Sequence, residues 1–128
     1  MKRILLACFL LTAVCTVSSV SRSAAQVTHI SATDFTTQVN LLDSYIAAGN
    51  TAASATTWNT LHTMMVEVLS YTKNSIATAP TPAAKTAFET LMKTQRNIYG
   101  TILPLKADFV ANRAALHTRL AAFDATIY

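Results

Sequence analysis

Apolar side chains recur along this chain at spacings of three and four residues, the repeat that lines one face of an α-helix. Phe35, Val39, Leu42 and Ile46 make one such stripe, widened by Leu41 and Tyr45. Trp58, Leu61, Met65, Val68, Leu69, Thr72 and Ile76 make a second, with Met64 and Tyr71 at its margins. Its arc covers close to half the helix circumference, enough for two neighbours. Ala84, Phe88, Leu91, Gln95, Ile98 and Ile102 share a third face, and Phe109, Leu116, Leu120, Phe123 and Ile127 form a narrower fourth.

Punctuation falls between these stripes. Two glycines, Gly49 and Gly100, and three prolines, Pro80, Pro82 and Pro104, occur in all 128 residues. Hairpins and sheets are thus short of their usual turn residues. Ser31 or Thr33 can cap the first helix, with Asp34 favoured by its N-terminal dipole. Thr81-Pro82 reads as an N-cap followed by proline at the first helical position. An unbroken helix from Pro82 to Ile127 would run about 69 Å with most of its apolar face uncovered, so a turn is expected over Gly100–Pro104. The pattern predicts an all-α, four-helix up-down-up-down bundle with helices at about 33–48, 51–77, 82–99 and 105–127. Residues 26–32, including His29, read as a loose tail.

The first 25 residues follow another logic. Lys2 and Arg3 precede an apolar run from Ile4 to Val17, and Ser23-Ala24-Ala25 offers the small residues a signal peptidase accepts before Gln26. The expectation is a cleaved signal peptide over 1–25, with processing between Ala25 and Gln26, and a single helical domain over 26–128. The product would be exported, periplasmic or extracellular. Its apolar run is short for a bilayer, which takes about 20 apolar residues, so no stable membrane span is expected after cleavage.

Cleavage also changes the charge and redox arguments. The whole chain carries +4, with a pI near 9.3. Beyond residue 25 only seven basic and six acidic side chains remain, a formal charge of +1 that argues against a nucleic-acid partner. Both cysteines, Cys8 and Cys15, lie in the signal, so the domain must hold together by apolar burial alone. Lys85, Glu89, Lys93 and Arg96 line the flank of the third helix as a solvated charged row, with Glu89 and Lys93 in the favourable order.

Candidate chemistry is sparse. A di-iron carboxylate bundle takes four glutamates, whereas Glu67 and Glu89 are the only two here. The Cys-x-x-Cys-His attachment of c-type haem is missing. With two glycines, the chain cannot build phosphate-cradling loops, and no strand-turn-helix elbow presents a nucleophile. The sharpest lead is His62 with Met65, an i,i+3 pair able to face one soft metal or a haem, with Met64 or Met92 in support. Against it, Met65 lies well inside the apolar arc, where methionine serves as flexible filling. His117 falls on a charged flank with Arg113 and Asp124, where a solvated histidine is the simpler reading. The sequence therefore predicts a non-enzymatic binding, interaction or structural module without a cofactor, engaging an unidentified protein partner in the cell envelope. The alternative is a periplasmic metal- or haem-binding bundle using His/Met ligands.

Overall fold

The computed structural model describes residues 28–128, so the expected signal peptide and its cleavage point at Ala25 and Gln26 lie outside the described residues. All regular structure among the described residues is helical: α1 (Ala32–Ala47), α2 (Thr51–Ala77), α3 (Pro82–Ile102), a 3-10 segment (Leu103–Ala107) and α4 (Arg113–Asp124). No described helix is long and apolar enough to cross a membrane.

Local chemistry sets each boundary. The Ser31 hydroxyl accepts from the Asp34 amide at 3.0 Å and opens α1. Gly49 closes that turn at φ +72°, a left-handed conformation that glycine adopts without a Cβ penalty. Asn50 caps α2 through the Ala53 amide, and Thr81 caps α3 through the Ala84 amide, each at 3.1 Å. Pro82 then occupies the first helical turn, where a missing N–H costs nothing.

The helices pack side by side, α1 on α2, α2 on α3, α3 on α4, and α4 back on α1. Their apolar stripes meet in one core. Phe35, Leu61, Met65, Ile102 and Phe123 are fully buried there. Phe35 and Phe123 join α1 to α4 with ring centroids 5.6 Å apart, within the range of favourable aromatic contact. No disulfide is available to these residues, so burial of this kind carries the fold.

Two expectations need correction. Gly100 does not end α3, which continues to Ile102, and the turn lies later, between Ala107 and Arg113. Ile102 is wholly buried, and keeping it helical outweighs the roughly 1 kcal/mol that a helical glycine costs. The α pattern stops where Pro104 has no N–H to give the Gly100 carbonyl, and a 3-10 segment takes over.

The fourth helix accordingly begins at Arg113 rather than near Leu105, and ends at Asp124 rather than Ile127. Asp108 and Asn112 build the turn that replaces its first part. The Asp108 carboxylate accepts from the Ala111 amide at 3.0 Å, and the Asn112 side chain donates to the Leu105 carbonyl at 3.1 Å.

The loose tail is also corrected from residue 28 onward. Ala32 already belongs to α1, and His29 is tied down. His29 Nε2 lies 2.8 Å from the Tyr128 main-chain oxygen, and its ring meets Tyr71 edge-on at 4.8 Å. Tyr128 in turn packs on Tyr71 and Phe88 and donates its hydroxyl to Ser75 at 2.6 Å. Both ends of the described chain therefore meet over α2 and α3.

Candidate functional site

His62 and Met65 share α2 but occupy different environments. Met65 is fully buried in the core, packed as a hydrophobe. His62 is half-buried beside Trp58, and its Nε2 lies 2.9 Å from the Tyr99 hydroxyl of α3. The histidine thus serves an α2–α3 contact, with one ring nitrogen already engaged. Met64 packs half-buried against the core. Met92 faces a different region, the outer seam between α2 and α3. Among the described residues no three His, Cys, Asp or Glu side chains cluster as metal ligands would.

The seam between α1 and α4 is held by polar contacts. Arg113 grips Asp43 with two hydrogen bonds, Nε to Oδ1 at 2.8 Å and a terminal nitrogen to Oδ2 at 3.0 Å. That hydrogen bonding holds the Asp43 carboxyl below the usual carboxylate range. Partial burial acts in the opposite direction, and the positive charges of Arg113 and His117 reinforce the lowering. Thr36 donates to Asp124 Oδ2 further along the same seam. Arg113 and Asp124 are therefore partnered across helices rather than simply solvated, while His117 is exposed. These groups lock two helices, and beside the Asp43–Arg113 pair lies a shallow open cleft of about 500 Å³, lined also by His117 and Thr118, in which the Asp43 and Arg113 charges are already paired across the seam.

The α2–α3 pair differs. Buried between these helices, the Thr72 hydroxyl lies 2.7 Å from Gln95 Oε1, and the Gln95 amide donates to the Thr126 carbonyl at 3.2 Å. Thr72 and Gln95 are both 0% exposed. Their contact fixes the register of α2 against α3. The next residue on each helix, Lys73 and Arg96, consequently lines the same outer groove, from opposite walls.

This groove is open and measures about 410 Å³. Val66, Leu69, Ile76 and Met92 supply its apolar surface, and Ser70 adds a hydroxyl beside the two cations. Val66, outside the buried stripe of α2, is 42% exposed and adds its apolar surface to the groove wall. No carboxylate lines the groove, and among the described residues neither Lys73 nor Arg96 forms an ion pair. The place combines apolar area with uncompensated positive charge, which suits binding rather than bond-making.

Sequence reading set Arg96 in a solvated row and missed the groove. The available signal lay in Thr72 and Gln95, polar residues on otherwise apolar faces, because a buried polar group needs a partner and so fixes how its helices meet. Comparison with known proteins returned no matching family model, no matching curated protein and no matching solved structure.

Proposed function

We propose that the chain is a small exported, non-enzymatic binding module of the periplasm or extracellular space, built as an up-down-up-down bundle and working through the α2–α3 groove. The groove itself carries this reading: exposed Val66 and the half-buried Leu69, Ile76 and Met92 form an apolar strip beside two cations that have no internal counter-charge. Apolar surface rimmed by polar groups is a common mark of a binding site. The charged start, apolar run and Ala25-Gln26 junction of the sequence support export. The metal or haem reading has less support, since Met65 is enclosed by core side chains and His62 Nε2 is engaged by Tyr99.

The test is expression of the affinity-tagged full chain, followed by N-terminal sequencing of the exported product and capture from the cell envelope fraction. The expected product begins at Gln26. Wild type should retain a component, protein or lipid, that both Val66→Asp and Arg96→Glu lose while keeping their helical circular dichroism. Equal retention by the variants, or none by wild type, overturns the reading.

A further inference from the structure

The chemistry of the groove narrows its ligand, given the binding role just proposed. Lys73 and Arg96 approach from opposite walls at neighbouring levels, because the Thr72–Gln95 hydrogen bond aligns the residues just before them. Two like charges lining one groove repel, and an anion between them relieves that repulsion while gaining charge-assisted hydrogen bonds. Ser70 stands on the same groove and can donate a third. From Lys73 back towards the start of α2, Leu69 and Val66 carry apolar surface over seven residue steps, about 10 Å at the α-helical rise, while Ile76 lies on the other side of the cations.

We infer that the α2–α3 groove binds a single-tailed anionic amphiphile of the fatty-acid class, its carboxylate between Lys73 and Arg96 and its acyl chain running along Leu69 and Val66. An acidic amphipathic peptide fits less well. A helix carrying several carboxylates would leave most of them without a cation, since the positive charge here is confined to one level of the groove. A second copy of this chain would bring another Lys73 and Arg96 to a symmetric contact on this face, adding like charge. A cationic or neutral tail would leave both cations unpaired.

The test uses protein purified after expression of the full chain, titrated calorimetrically with dodecanoate below its micelle concentration at pH about 8, where the carboxyl is ionised. Saturable binding of one dodecanoate per chain is expected. Dodecyltrimethylammonium, with the same tail and opposite charge, should bind at least about tenfold more weakly, as should dodecanoate to Lys73→Glu or Arg96→Glu. Both side chains are exposed, so these variants should keep wild-type circular dichroism. Binding that is indifferent to head-group charge, or to both substitutions, overturns the assignment. So does binding only to phosphatidylglycerol vesicles, dimerisation through this face, or no binding. Should dodecanoate fail while envelope capture still depends on Val66 and Arg96, the binding role stands and the fatty-acid assignment alone falls.

Discussion

Thr72 and Gln95 make the central polar contact of the interior, 2.7 Å from hydroxyl to amide oxygen with neither side chain reaching solvent. Thr72 also lies 3.1 Å from the Val68 carbonyl one turn back, so its single proton has two acceptors within reach. Gln95 extends the network to the Thr126 carbonyl beyond α4. Three parts of the chain are thereby held in one register, and the outer groove depends on that register.

Gln95→Ala should therefore cost more than an ordinary surface change, about 2–4 kcal/mol, from the vacated volume and the polar groups left without partners. Thr72→Val should cost about 1 kcal/mol. Urea denaturation of both single variants and the double variant should show non-additivity, because the second substitution removes a contact already lost. Strict additivity would mean the two side chains act independently.

Met65 separates packing from ligation. Fully enclosed, it should tolerate Met65→Leu at a cost below about 1.5 kcal/mol, whereas Met65→Ala should lose about 2–5 kcal/mol in thermal or urea unfolding. Copper(I) titration of wild type and Met65→Leu should give the same result. Loss of a stoichiometric site on the leucine substitution would restore the metal reading.

Trp58 is the sole tryptophan and lies 6.2 Å from the His62 ring, centroid to centroid. Tyr99→Phe removes the hydroxyl that engages His62 Nε2 and should cost about 0.5–1.5 kcal/mol. The freed imidazole should also alter Trp58 emission. An unchanged spectrum together with unchanged stability would show that the His62–Tyr99 contact contributes nothing.

Asp43 gives a pH signature. Its folded carboxyl titrates below the ordinary value of about 3.9, chiefly through the Arg113 hydrogen bonds. The resulting stabilisation is fully present above that ordinary value and is lost as pH falls through it towards the lower folded value. Asp43→Asn should thus have a lower Tm than wild type at pH 7, with the gap closing under acid. The gap should be small, because the pair is partly exposed, and high salt should narrow it further. A gap that persists unchanged in acid would contradict the assignment.

How much of this was legible in the sequence varied with how local the deciding forces were. α2 falls on its expected limits, Thr51 and Ala77, and the α3 start at Pro82 follows from Thr81-Pro82. Caps and apolar spacing act within a turn or two, so the sequence displays them directly. The Gly100 boundary failed because tertiary burial of Ile102 overrode a local propensity. The start of α4 failed because Asp108 and Asn112 turn the chain through side-chain bonds, which apolar spacing does not register. The sequence places His29 in a loose tail because its partners, Tyr71 and Tyr128, are distant along the chain. Lys73 and Arg96 come together for the same kind of reason, through a contact 23 residues apart along the chain.

The most direct measurement is amide chemical-shift mapping of isotope-labelled protein, purified after expression of the full chain and titrated with cell envelope extract. The account predicts progressive shifts confined to one surface, around Val66, Leu69, Ser70 and Lys73 on α2 and Met92 and Arg96 on α3, and their loss in Arg96→Glu. Shifts centred instead on the Asp43–Arg113 seam, or a spectrum unmoved by the extract, would contradict it.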